Sequence, residues 1–532
     1  MKSLNFAMPH CPGLAADGQL PKPEPGPICE AMSETPYQQL ERRFKRLSAL
    51  GEVQAVLHWD MAAMMPRGGG EARAGQLAEL KAVRHGLLTA PETGELLDAA
   101  EDADGLKGWQ PANLREMRRL WTKATALPED LVVALSKACS ACEMVWRTAR
   151  PEADFAAVKP TLEEVLALTR EAAAAKAEKL GLSLYDALLD DYEPGGRTAD
   201  IDPVFAELED FLPGLLSDTF DAQAARPKAI LPEGPFPEEK QKALGVRLME
   251  ALGFDFDHGR LDISLHPFCG GTPDDVRITT RYDEADFTSS LMGVLHETGH
   301  ALYERGLPKQ WRGQPVGEAL GMSIHESQSL LVEMQVCRSR AFLGYAAPLM
   351  REAFAAESKD GGPAWEPENL YRLYTRVKPG FIRVDADEVT YPLHVIVRYR
   401  LEKAMIEGDM EIADLPAAWN DGFKELLGLT PSTDREGCLQ DLHWFDGAWG
   451  YFPTYTLGAM TAVQLFEAAK KAVPEIEPAI AKGDFKPLFG WLKTHVHTKG
   501  SLLTANELLI EATGKPLDPK IFKAHLKARY LG

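Results

Sequence analysis

The chain has 532 residues, with 58 basic against 79 acidic side chains and a formal net charge of −21. That balance argues against nucleic acid and anionic membranes as partners, because both select cationic surfaces, and it suits cationic substrates only weakly. Charged residues at 26% and hydrophobic ones at 45% are ordinary for a soluble globular chain, and no apolar run approaches the roughly 18 residues needed to span a bilayer.

Residues 1–34 hold prolines at 9, 12, 21, 23, 25 and 27 and no continuous apolar stretch, so they read as a flexible extension and not as a signal peptide. Met32 is a candidate start, since helical periodicity opens just after it. From there no linker parts independent cores, and residues 35–532 read as a single, mainly helical domain. Helical patterns run over Tyr37–Leu57, Gly70–Leu88, Leu114–Leu127, Glu129–Arg150 and Val158–Leu180. An acidic turn from Asp186 to Gly195 precedes another helix from Pro203, and Pro227–Pro237 is a surface loop. Period-two alternation occurs at Leu261–Leu265 and Val276–Thr280 around Gly270-Gly271, which predicts a small antiparallel sheet. Helices then resume to the C-terminus, interrupted by a Gly- and aromatic-rich loop at Gly447–Gly458. The seven cysteines are odd in number and scattered, and Cys139-x-x-Cys142 has no second pair, so they are read as packing residues in a reducing cytoplasm.

The most informative stretch is His296-Glu297-Thr298-Gly299-His300, an H-E-x-x-H pattern on a helix expected from Asp286 or Phe287 to about Arg305. Residues four apart share a helix face, so two imidazoles can hold one zinc-like ion with Glu297 beside them as general base. A third protein ligand is needed to leave one position for water. Glu318, His325, Glu326 and Glu333 are candidates, and Glu326 is chosen because it opens a second helix expected over about Ser323–Phe342. Ser323-x-x-Glu326 is equally a capping box, and spacing alone leaves ligand and cap open.

Further motifs surround this one: His266-Pro267-Phe268, Asp275-Val276-Arg277-Ile278-Thr279, His325-Glu326-Ser327-Gln328, Ile382-Arg383-Val384-Asp385-Ala386-Asp387, and Gly437 to Trp444. In this order the chain, from about Tyr37 onward, resembles the carboxypeptidase Taq family of metallocarboxypeptidases. The resemblance implies a saddle-like helical fold with a deep cleft, a homodimer, one zinc or cobalt ion, and Glu326 as third ligand. It also implies peptide substrates with a free C-terminus and broad specificity. For the α-carboxylate an arginine fork is the natural receptor, Arg383 first and Arg277 second, although nearby aspartates offer each a structural ion pair. His443, Tyr451 and Tyr455 are candidate donors to a developing oxyanion, Tyr455 also to bound substrate, and His266 is a candidate for shaping the cleft. The competing readings are an oligopeptidase or dipeptidase of similar fold and a peptide-binding protein without chemistry.

Overall fold

The computed structural model describes residues 34–355 and 362–532; the extension read over residues 1–34 lies outside them but for its last residue. Helix α1 (Pro36–Ala63) starts where Thr35 and Gln38 close a capping box: Gln38 N donates to Thr35 Oγ1 at 3.3 Å and Thr35 N to Gln38 Oε1 at 2.9 Å. With α2 (Gly70–Thr89), α3 (Pro91–Glu101) and α4 (Gln110–Ala126) it builds an N-terminal arm. Leu40, Phe44, Leu97 and Met117 form the arm's small core. Then come α5 (Glu129–Glu152), α6 (Phe155–Leu180), α7 (Leu184–Leu189) and α8 (Thr198–Ala224). The five N-terminal helices expected from periodicity are present. Helix α3 was not expected, and α7 replaces the first part of the acidic turn because Ser183 caps it, accepting from Asp186 N at 3.1 Å.

After α9 (Glu238–Leu252) come strands β1 (Gly259–Ile263), β2 (Phe268–Thr272) and β3 (Asp275–Thr280). The sheet stands where alternation placed it, but it is mixed. The central β3 pairs antiparallel with β2 and parallel with β1, aligning Ile278 with Cys269 on one side and Leu261 on the other. Period two marks a strand but not its direction. Gly270-Gly271, expected between strands, lies within β2, and β2 and β3 form the hairpin instead.

Helix α10 (Phe287–Gly306) begins at Asp286, whose carboxylate accepts from Thr288 N at 2.8 Å. The second expected helix is divided: α11 (Met322–Leu330) widens into a π-helical turn (Leu331–Cys337), and Ser339 then caps α12 (Arg340–Phe354). The remaining helices are α13 (Pro367–Tyr374), α14 (Tyr391–Glu407), α15 (Leu415–Leu427), α16 (Pro453–Ala472), α17 (Ile476–Ile480), α18 (Lys486–His495), α19 (Ala505–Thr513) and α20 (Pro519–Tyr530). Proline at the first position of α16 starts that helix inside the stretch read as a loop.

Two large cores organise the body. One gathers side chains of α5, α6, α8, α14 and α15, the other those of α10, α12, α13 and α18, and α16 contributes to both. A cleft runs along the seam between them, lined by Met292, Leu330 and Met334 from the second core and Tyr391 and Tyr455 at the edge of the first. Among the described residues no helix is long and apolar enough to cross a membrane.

Candidate metal centre and cleft

His296 and His300 project from one face of α10 with ring centroids 5.0 Å apart. Glu326 on α11 faces both: its Oε1 is 4.0 Å from His296 Nε2 and its Oε2 is 3.6 Å from His300 Nε2. One ligand atom from each of the three lies within 4.8 Å of the others. Two glycines permit this convergence. A Cβ on Gly299 would stand 2.5 Å from the Gln328 carbonyl oxygen, and one on Gly458 of α16 would stand 2.9 Å from Glu326 Cβ. α11 is thus pressed against helices on two sides.

The other ring nitrogens are engaged. His296 Nδ1 lies 2.9 Å from Glu333 Oε2, and Glu333 also pairs with Arg338. His300 Nδ1 lies 2.7 Å from His325 Nδ1, and His325 Nε2 lies 2.8 Å from Glu304 Oε1. A consistent proton assignment has His300 Nδ1 donating to His325, and His325 Nε2 donating to Glu304. Both Nε2 lone pairs then face Glu326, the donor chemistry of a two-histidine, one-carboxylate site with room for a further ligand. The residues present therefore fit a divalent ion.

The surrounding charge favours a cation at this point, either a proton on His296 or an ion that displaces it. Burial opposes charge on His296, but the hydrogen bond to Glu333 and the nearby Glu326 and Glu297 carboxylates outweigh it and raise its pKa to about 10. Burial also lifts the Glu297 carboxyl to about 7, partly offset by His296, and raises Glu326. Glu333 is held below the ordinary range because Arg338 and His296 overcome its burial. This concentration of carboxylates favours a positive charge at the point the three ligand atoms share.

The capping alternative for Glu326 is not realised. Ser323 N and Oγ both donate to Glu193, at 3.0 and 2.7 Å, so the start of α11 is satisfied from a distant turn and the Glu326 carboxylate is free to face the histidines.

The cleft encloses about 700 Å³ and is lined by His296, Glu297, His300, Glu326, Arg383, Tyr451 and Tyr455 among others. Arg383 is only 6% exposed; its Nε and Nη2 lie 3.1 and 2.9 Å from Asp441 Oδ1, and its guanidinium sits 4.5 Å above the Tyr455 ring. Asp441 is shared with Arg398, whose Nε donates to Oδ2 at 2.6 Å. Despite burial, the two arginines hold its carboxyl far below the usual range.

Three residues singled out in the sequence stand apart from the cleft lining. Arg277 is bound to Asp275 at 2.6 Å and stacked 4.3 Å over Trp59. His266 is exposed on the β1–β2 loop; only its neighbour Pro267 reaches the lining. His443 lies behind Tyr455, its Nε2 3.1 Å from the Tyr455 hydroxyl, and burial followed by Arg383 lowers its pKa to about 4, leaving it neutral. Conversely, Glu333, Arg338, Asp441 and Glu193 shape the site without having been assigned these roles from the sequence. A larger cavity, about 1080 Å³ against α16 and α20, contains none of the ligating residues.

A family model described as carboxypeptidase Taq (M32) metallopeptidase matches residues 39–530. Thermostable carboxypeptidase 1 of Thermus thermophilus is 40% identical over 513 residues, covering 93% of this chain and 98% of that protein. Carboxypeptidase 1 of Bacillus subtilis is 35% identical, covering 91% and 96%. The solved structure of Trypanosoma cruzi metallocarboxypeptidase 1 matches with a TM-score of 0.91 at 43% identity, covering 93% of this chain and 99% of that one. In sequence and in fold alike, the chain belongs to the carboxypeptidase Taq (M32) metallopeptidase family.

Proposed function

We propose that the chain hydrolyses the last peptide bond of peptides with a free C-terminus and tolerates many terminal side chains. One divalent ion, zinc foremost and cobalt as the alternative, is held by His296, His300 and Glu326. The observation that carries this reading is the presence in one cleft of that ligand set, the buried Glu297 carboxyl and the Arg383 guanidinium.

Bound there, the ion supplies Lewis acidity for activating water and polarising the scissile carbonyl. Glu297 takes the proton of the attacking water on a carboxylate oxygen and delivers it to the amide nitrogen as the amine leaves. A carboxyl lifted to about 7 by burial suits a group that must both take and give a proton near neutrality. Arg383 receives the terminal carboxylate, with Asp441 fixing its Nε and Nη2 so that the fork is oriented before substrate arrives. Tyr451 and Tyr455 are raised above the ordinary tyrosine range by burial, keep their hydroxyl protons, and serve as donors to the developing oxyanion. His443 positions Tyr455 from behind. The enzyme works as a homodimer, in keeping with its family resemblance, and in the cytoplasm, in keeping with cysteines that are unpaired among the described residues.

The test is a mass-spectrometric time course on a mixed-sequence peptide with metal-loaded enzyme, chelated enzyme and the Glu297→Gln variant. A ladder losing single residues from the C-terminus, absent from both controls, is the expected result. Internal fragments would favour an oligopeptidase, and full activity of Glu297→Gln would remove the assigned base.

A further inference from the structure

The solvent-facing part of the cleft wall carries two cations that the chemistry above leaves unused. Arg376 and Lys378 both line the cleft and both are exposed. Neither side chain has an ion-pair or hydrogen-bond partner among the described residues. Of the other cations in the same cleft, Arg338 is committed to Glu333, and Arg383, held by Asp441, is already assigned to the terminal carboxylate.

Unpaired surface cations are ordinary in themselves; the mounting of these two is not. Val377 between them is buried, and the Gln223 side-chain amide grips its backbone from behind, accepting from Val377 N at 2.7 Å and donating to Val377 O at 2.9 Å. Lys378 N donates in turn to the buried Asp387 carboxylate at 3.1 Å. The resulting exposed, buried, exposed alternation sends both cations to the cleft side of a fixed backbone. Asp385, exposed a few residues on, also lines the cleft and subtracts one charge without cancelling the pair.

We infer that Arg376 and Lys378 form an anion subsite at the mouth of the cleft that takes acidic side chains upstream of the residue being removed. The assignment rests on the carboxypeptidase reading and follows from depth. His300 and Arg383 are buried, so the terminal residue and its carboxylate lie deep, and the peptide must leave past whatever stands exposed at the rim. The overall charge of −21 disfavours acidic peptides at long range, and a local cationic pair is the means by which a cleft in such a molecule admits them. Tolerance at the terminal residue is thereby compatible with selection on the residues before it.

The test uses metal-loaded enzyme and peptides that share one neutral C-terminal residue and carry Glu, Gln or Lys at the positions before it. Wild type is expected to prefer Glu over Gln over Lys in kcat/KM. In Arg376→Ala/Lys378→Ala the Glu-to-Gln ratio is expected to fall about three- to ten-fold through KM, the range for two solvent-exposed ion pairs. About 1 M salt, where screening acts within about 3 Å, should reproduce that loss in wild type. Arg376→Glu/Lys378→Glu should invert the order. An unchanged ratio overturns the subsite. So does an equal loss on all three peptides, which would put the pair on the terminal carboxylate instead. If wild type releases no terminal residue from any peptide, the carboxypeptidase reading falls and the subsite with it.

Discussion

Glu333 touches no substrate in the reading above, yet it decides how well His296 can serve. It holds Nδ1 at 2.9 Å, fixes the ring and directs Nε2 toward Glu326, while Arg338 anchors it from the far side. Glu333→Gln keeps an acceptor but loses the charge, so both the orientation and the basicity of His296 weaken. The expected outcome is a metal affinity about 10- to 100-fold lower, the usual cost of removing such an anchor, read by competition with a chromogenic chelator. Circular dichroism on the same samples separates this from unfolding, and an unchanged affinity would remove the anchor role. Local spacing made His296, Glu297 and His300 legible, because four residues is a helix repeat. It could not decide Glu326, since ligand and cap share the same spacing and the deciding contact is made to Ser323 by Glu193, 130 residues earlier. The Arg383–Asp441 and Arg398–Asp441 pairs are hidden for the same reason, joining residues 58 and 43 positions apart. Arg277 shows the converse: its partner Asp275 stands two positions away and was visible in the sequence.

At the scale of elements, the metal centre depends on how closely α10 and α11 approach. Gly299 is the point of contact, and its hypothetical Cβ meets the Gln328 carbonyl oxygen at 2.5 Å and Ser329 Cα at 2.6 Å. Both are backbone atoms, so relief requires the helices to part. Ala is better than Gly in a helix by about 1 kcal/mol, while overpacking a tight core costs about 1–3 kcal/mol. The clash therefore wins, and Gly299→Ala is expected to lower the apparent Tm and weaken metal binding, since Glu326 moves with α11. Gly293 lies on the same helix with nothing within 4 Å of its Cβ direction, so Gly293→Ala should hold or raise the Tm. Equal Tm shifts in the two variants would contradict the packing argument. Helix identity at this scale was largely readable from periodicity. The division of α11 from α12 was not, because the apolar pattern continues through the π-helical turn and only the Ser339 cap marks the stop. Strand direction in the small sheet was equally hidden, because the parallel β1–β3 pairing is set by a crossing of the chain and not by alternation.

At the scale of the molecule, the chain's last helix is tied back to the cleft through one buried carboxylate. Glu388, next to the Asp387 that holds Lys378, accepts from His525 at 3.0 Å, from Arg529 at 2.9 Å, from Tyr530 at 3.1 Å and from Gln335 of the π-helical turn at 2.8 Å. Arg529 also donates to the Met334 carbonyl at 2.7 Å, so α20, the π-helical turn and the start of α14 meet at this point. Burial alone would raise the Glu388 carboxyl, but Arg529 and His525 dominate and hold it well below its ordinary 4.5. Between the folded value and 4.5 the unfolded chain binds more protons than the folded one, so stability rises with pH across that window. The contribution is complete above about 4.5 and is lost as pH falls through the folded value. Glu388→Gln strands the Arg529 guanidinium in the interior, a loss of about 3–5 kcal/mol for a broken buried pair. The variant is therefore expected to show a lower apparent Tm at pH 7, at one fixed scan rate, and a shallower fall in Tm than wild type as the pH is taken below 4.5. Parallel Tm curves for the two proteins through the acid range would mean that Glu388 does not carry this linkage, and that α20 is held chiefly by its apolar packing through Phe522, Leu526 and Tyr530.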